Sequence, residues 1–239
     1  MDADIERTIR EAIARQPALA AECRAVFVEL HPDVVLLDGT VETIAAKRRL
    51  ALLVGQSTGG LGLLDRVRVE RAETRDDVDV ARDLLDALMR EPIFRGYRVV
   101  EIAGDTLELP PAENEAGDTV IGAAVRDSTV ALAGTVGSLT HRRFAEVLAW
   151  WTPGTGDVDN RLYVTPSEKD SDEEITDAVS MALEKDPWID AAGIDVRTNG
   201  REVHLAGTLP SAEQRRMAEY DAWYVRGVHA VTNDIEIDG

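Results

Sequence analysis

The sequence predicts an α+β protein made of three tandem αββαβ modules, each a three-stranded mixed sheet covered by two helices. Three observations carry this. One phrase recurs three times, as Val35-Leu36-Leu37-Asp38-Gly39-Thr40-Val41, Val130-Ala131-Leu132-Ala133-Gly134-Thr135-Val136 and Val203-His204-Leu205-Ala206-Gly207-Thr208-Leu209. Upstream of each phrase an amphipathic pattern closes at Gln16-Pro17, Glu91-Pro92 or Asp186-Pro187. Downstream of each comes a second glycine, Gly59, Gly154 or Gly227, and then a run opened by Val67, Leu162 or Ile235. Self-similarity at so many registered positions is the signature of a repeat.

The elements of a module follow in order. Apolar residues lie 12, 8, 5 and 4 positions before each proline: Ile5, Ile9, Ala12 and Ile13; Val80, Leu84, Ala87 and Leu88; Ile175, Val179, Ala182 and Leu183. That spacing is one face of an amphipathic helix, which the proline cannot continue. Next, Ile194 to Val196 and Val203 to Leu205 alternate with period two around Asn199-Gly200, a strong hairpin signal. The phrase ends the second strand, and its glycine reads as a strand-to-helix corner that needs a residue without Cβ. Thr43, Ser138 and Ser211 are placed to cap a second helix. That helix carries Leu50, Leu53 and Val54, or Phe144, Val147 and Leu148, or Met217, Tyr220 and Trp223 inward. It ends near the second glycine. Gly59-Gly60-Leu61-Gly62 and Gly154-Thr155-Gly156 read as helix C-terminal caps with a turn, because neither ends in Gly-Lys-Ser/Thr or leads into a helix. A third strand, as at Val231–Ile237, should run parallel to the second through a right-handed crossover. Two helices on one sheet face make two layers.

The modules divide as residues 1–73, 76–166 and 169–239, with short charged linkers at Arg71–Asp79 and Pro166–Asp172. The middle copy departs from the pattern: from proline to phrase glycine is 22 residues in the first copy and 20 in the third, but 42 in the second. The surplus lies at about 95–118. Arg98–Ile102 reads as a strand, Ala103-Gly104-Asp105 as a turn, and Thr106–Leu109 as a short strand closed by Pro110-Pro111. Val99–Leu109 should therefore be ordered, extending the middle sheet or covering an edge.

Composition narrows the function. The formal charge of −19 divides as about −1 over residues 1–75, −8 over 76–166 and −10 over 167–239. Such a surface argues against nucleic acid and against unaided docking on anionic lipid. No run approaches the roughly 20 apolar residues of a spanning helix, and the acidic N-terminus lacks the basic start of a secretory signal, so the cytoplasm is the expected compartment. One cysteine, Cys23, cannot form an internal disulfide and reads as a small buried hydrophobe. His31, His141, His204 and His229 have no metal-ligand spacing, and His204 alternates outward on its strand. No serine stands in a nucleophile-elbow context.

The αββαβ order, the Asp/Glu-Pro helix end, the Val-x-Leu-x-Gly-Thr-Val phrase and the closing Gly-Val…Val-x-Asn-x-Ile together resemble the BON domain family. In the third copy the matching residues are Pro187, Ile194, Val196, Gly200, Val203, Leu205, Gly207, Thr208, Gly227, Val228, Val231, Asn233 and Ile235. The resemblance spans nearly the whole chain, departing at Gly59-Gly60-Leu61-Gly62 and across the insertion. It implies a non-catalytic module, with members linked to osmotic or envelope stress, some binding phospholipid and one binding potassium. The function expected is a non-enzymatic, stress-associated binding or scaffold protein without a cofactor. Its partner would be a protein, another copy of itself, or a small ion or ligand. Alternatives are a potassium sensor using loop carbonyls and a peripheral phospholipid-binding protein.

A basic pair recurs eight and nine residues after each phrase glycine: Lys47-Arg48, Arg142-Arg143 and Arg215-Arg216. It reads either as salt-bridged to the acidic first helix or solvated, or as contacts for acidic neighbours and anionic ligands. Trp150-Trp151 aligns with Trp223-Tyr224, so one ring of each pair should pack inside. Trp150, Trp151, Arg142 and Arg143 form the candidate interaction surface.

Overall fold

The computed structural model describes residues 2–58, 60–102 and 119–238. The first module runs α1 (Asp2–Ala14), α2 (Pro17–Glu22), β1 (Ala25–Leu30), β2 (Val34–Val41), α3 (Ile44–Ser57) and β3 (Gly62–Val69). The middle module runs α4 (Asp77–Arg90), β4 (Arg98–Glu101), β5 (Val120–Arg126), β6 (Thr129–Val136), α5 (Leu139–Trp151) and β7 (Asp157–Val164). The third runs α6 (Asp172–Lys185), β8 (Ile194–Asn199), β9 (Glu202–Leu209), α7 (Ala212–Tyr224) and β10 (Ala230–Ile237). The phrase strand is central each time. β2 pairs antiparallel with β1 and parallel with β3, and β9 does the same with β8 and β10.

The middle sheet has four strands, in the order β4-β5-β6-β7, where three are expected from the repeat alone. The added strand is the first arm of the insertion, paired parallel to β5 from Arg98 opposite Val120 to Glu101 opposite Ala123. The expected turn at 103–105 and second arm at 106–109 lie outside the described residues.

Ser138 and Ser211 cap α5 and α7 through their hydroxyls, accepting from His141 and Gln214 N–H, and Thr43 does the same for α3 from Ala46 N–H. The phrase glycines are not at a strand-to-helix corner. They sit inside the strands at φ near +135°, where the backbone at the start of the antiparallel neighbour passes so closely that a Cβ on Gly39, Gly134 or Gly207 would lie 2.1, 2.1 or 1.9 Å from a carbonyl oxygen. Of the second glycines, Gly154 and Gly227 lie three residues past the last helical residue in left-handed turns, and Gly59 lies outside the described residues. The hairpin loop of the third module is Gly200-Arg201, both at positive φ, one residue later than Asn199-Gly200. Asp127-Ser128 repeats this geometry in the middle module. Two residues of positive φ give the type I′ turn whose twist suits a two-residue loop.

Inward residues of strands and helices meet in buried apolar cores: Ile9, Leu19, Val35, Leu37, Leu50 and Val54 in the first module, with Cys23 beside them. Burial, then Glu22, pushes the Cys23 thiol up to about 11, so it stays protonated and unreactive. The chain divides into two compact units, Met1–Glu70 and Arg71–Gly239. The second and third modules thus share one unit. Among the described residues no helix is long and apolar enough to cross a membrane.

Candidate functional site at the junction of the second and third modules

The first member of each basic pair faces its own third strand. Arg142 donates to Asn160 O at 3.4 Å while Asn160 Nδ2 returns a bond to Arg142 O at 2.9 Å. Arg215 and Asn233 repeat the exchange at 2.8 Å both ways. Lys47 bonds Val67 O and pairs with Asp65 at 3.1 Å. Asp65, Asn160 and Asn233 each also accept the N–H two residues on, through Oδ1. These residues therefore clamp the second helix to the third strand, and the expected bridge to the first helix is not what they make. The acidic first turns have their own use: Asp77 accepts from Asp127 and Ser128 N–H, and Asp172 from Gly200 and Arg201 N–H. A first-helix carboxylate thus satisfies the donors of each I′ turn.

The second basic residue differs between copies. Arg143, only 4% exposed, crosses to the third module, where Nε donates to Arg226 O at 2.8 Å and Nη2 to Asp170 Oδ1. Arg201 Nη2 holds the other Asp170 oxygen at 3.0 Å. Burial opposes ionisation of Asp170, but the hydrogen bonds from Arg143 and Arg201 outweigh it and hold its carboxyl below the usual range. Gly227 lies under both guanidinium groups, for a Cβ there would meet Arg201 Nη1 at 3.1 Å and Arg143 Nη2 at 3.3 Å. Around this core, Arg226 approaches Glu146 at 3.7 Å, Thr140 donates to Glu174 at 3.0 Å, and Lys185 pairs with Glu91 at 2.8 Å. Arg216, the counterpart of Arg143, is exposed and no closer than 4.0 Å to Glu213.

The aromatic pairs meet at the same junction. Trp150 is buried with its ring 6.4 Å from Tyr224, and Trp151 stands edge-on to Phe144 at 6.4 Å. The Trp151 indole hydrogen-bonds Asp221 of α7, a carboxyl only 3% exposed. Burial first, then the charge and hydrogen bond of Asp186, push Asp221 up to about 8 against the lowering effect of Trp151. At neutral pH Asp221 is accordingly a neutral acid, donating to Asp186 and accepting from Trp151.

Of the residues expected at an interaction surface, Arg143, Trp150 and Trp151 meet the third module, and Arg142 is half-buried against β7. Sequence reasoning missed Asp170, Asp186, Arg201, Asp221 and Arg226. A signal existed for Asp221, which stands fourteen residues after its phrase glycine where the other copies have Leu53 and Leu148. Another existed for the turn-holding aspartates, since Asp77 and Asp172 both lie fifteen residues before the module proline. Asp170 and Arg201 belong to a linker and a turn, where the middle copy has Arg75 and Ser128, so no recurrence flags them. Among the described residues no group of three or more His, Cys, Asp or Glu is placed to hold a metal ion.

Two solved structures span nearly the whole chain. One is the C-terminal domain of CdsD, the structural protein of the Type III secretion system of Chlamydia trachomatis. It is 15% identical, covers 98% of this chain and 96% of its own, and has a TM-score of 0.26. The other, also of CdsD from Chlamydia trachomatis, is 16% identical with coverages of 98% and 92% and a TM-score of 0.25. No curated protein matches the sequence. The BON domain family matches at residues 1–71, 111–166 and 171–239, the middle match beginning after α4 and β4. With three matches over most of its length, and with a mixed α+β module around each, the chain belongs to the BON domain family.

Proposed function

We propose that this chain is a non-enzymatic, stress-associated binding or scaffold protein of the cytoplasm, in which the second and third modules act as one docking body. One observation carries the reading: the polar residues that recur in the repeat are spent on holding each module's own elements in place, and Arg143 on joining two modules. The basic and Asp/Asn positions clamp helix to strand, the first-turn aspartates hold hairpin turns, and Arg143 with Asp170 joins two modules. Side chains committed to structure present a rigid surface, and a rigid surface binds without an ordering penalty. The acidic balance of −19 keeps such a body in solution.

The test is to measure sedimentation and thermal melting of the full chain in KCl, NaCl and choline chloride at equal ionic strength. A scaffold should melt identically in all three and show concentration-dependent association with itself or an added partner. A melting rise specific to potassium would replace the scaffold with an ion sensor, because a ligand of the folded state alone stabilises by mass action. Flotation with anionic vesicles would favour peripheral lipid binding. Turnover of any substrate would end the non-enzymatic reading.

A further inference from the structure

Four arginines converge where the second and third modules meet. Arg142 and Arg143 come from α5, Arg201 from the β8–β9 turn, and Arg226 from the turn after α7. The carboxylates set among them are Asp170 and Glu146. Asp172, beside Arg201 in space, is turned to the backbone N–H groups of Gly200 and Arg201. With Asp172 counted, four guanidinium groups stand among three carboxylates, so the cluster carries a surplus of one positive charge in a chain of net −19.

The donors at its floor are not exhausted. Arg143 is 4% exposed, yet its Nη1 has no hydrogen-bond partner, and neither has the buried Nε of the adjacent Arg142. Buried guanidinium donors without acceptors are costly, and a native fold seldom leaves them so without a use. The rim opens to solvent: the side chains of Arg201, Asp170 and Arg226 are 34%, 39% and 55% exposed. His229 stands nearby, lowered first by burial and then by Arg201, with Asp170 acting the other way. Arg142 is lowered first by burial and then by Arg226, against the opposing charge of Glu146. Asp170, the group that now bridges Arg143 and Arg201, comes from the connection between β7 and α6 rather than from a helix or strand.

We propose that this junction is an oxyanion-binding site, with Arg143 as floor and Arg201 and Arg226 as rim, that takes a phosphate group in the place Asp170 occupies. Planar guanidinium forks suit the tetrahedral oxyanion, which offers more acceptors than one carboxylate and can reach the unused donors of Arg143. Binding there would replace a contact between modules, and so would register the ligand in how the docking body is held. The proposal rests on the reading of the chain as a binding protein, and it names the ligand class of the same junction.

The experiment is calorimetric titration of the full chain with inorganic phosphate against chloride at matched ionic strength, repeated on Asp170→Asn and Arg201→Gln. Circular dichroism establishes that each variant is folded. Removing the competing charge in Asp170→Asn should tighten phosphate binding by about tenfold, and Arg201→Gln should weaken it by about tenfold. If Asp170→Asn does not fold, wild type against Arg201→Gln carries the comparison. Flotation with phosphatidylglycerol against phosphatidylcholine vesicles distinguishes the source. Binding of free phosphate without flotation assigns a soluble phosphate, whereas flotation lost in Arg201→Gln assigns a lipid headgroup. Absence of binding to either probe, or equal phosphate affinity in wild type and Arg201→Gln, overturns the site. Such a failure would leave the sedimentation behaviour of the chain untouched, so it is separable from failure of the scaffold reading.

Discussion

Where α5 ends in Ala149-Trp150-Trp151 and α7 in Ala222-Trp223-Tyr224, α3 carries Val54-Gly55-Gln56 at the same register. The first module forms a compact unit by itself, while the second and third share one. Their aromatic pairs face each other, with Trp150 against Tyr224 and Trp151 bonded to Asp221. The comparison teaches that two sets of positions do different work. Positions identical or similar in all copies, such as the phrase glycine and the clamp of basic residue to Asp or Asn, build each module. Positions that differ between copies decide how modules join.

The largest effect should come from the positions that build a module. Gly207→Val puts a Cβ within 1.9 Å of Gly193 O at φ +137°, which no rotamer relieves, and should cost at least about 3 kcal/mol. Gly39→Val creates the same clash against Ala25 O in the other compact unit. Followed by urea with probes in each unit, Gly39→Val should unfold Met1–Glu70 early and Gly207→Val the remainder. If both lower a single shared transition, the division into two units is broken.

Positions that join modules come next. Arg143→Leu removes the bonds to Arg226 O and Asp170 and should destabilise the second unit by about 2 kcal/mol. Arg216→Leu, the same register on an exposed surface, should change stability little. Equal losses in the two variants would show that Arg143 owes nothing to its position at the junction.

Asp221 sharpens the comparison through pH. Its folded carboxyl titrates at about 8 and an unfolded aspartate near 4, so the unfolded chain sheds the proton first as pH rises. Below about pH 4 both states are protonated and the group is neutral to stability. From pH 4 to 8 the second unit should lose stability, and above 8 the loss should level off. Asp221→Leu, which restores the residue type of Leu53 and Leu148, should stabilise the second unit by about 2 kcal/mol at pH 7 and flatten this slope. Urea midpoints at pH 5 and pH 8 check it; an unchanged slope in the variant would assign the pH dependence elsewhere.

Of the changes expected to register, the smallest is at Cys23. Cys23→Ala removes a buried sulfur from the first core and should cost about 1 kcal/mol without altering association. A change in sedimentation without unfolding would make the thiol a functional group, contrary to its burial and its raised pKa.

Much of each module was legible because helix and strand periodicity are local. The apolar spacing before Pro17, Pro92 and Pro187 marks α1, α4 and α6, and Ser138 and Ser211 mark the starts of α5 and α7, since a cap needs only the residue and the turn it closes. Part of the insertion was legible as well: Arg98–Glu101 is a strand, as β-favouring residues suggest, although its partner β5 lies across the insertion. The clamp was visible as a recurrence but not as a contact, because Arg142 and Asn160 are eighteen residues apart and a crossover brings them together.

What the sequence by itself determined is the module, repeated three times, since every signal for it lies within reach of one helix turn, one strand or one repeat length. What only the tertiary structure decided is the junction. Asp170 sits in a linker, Arg201 in a hairpin turn and Arg143 in a helix of another module, and only packing α5 against α6 sets them around one carboxylate. Electrostatics and burial depend on distance in space, so a carboxyl such as Asp221 reads in sequence as one acid among 45 and only in the fold as a buried neutral one.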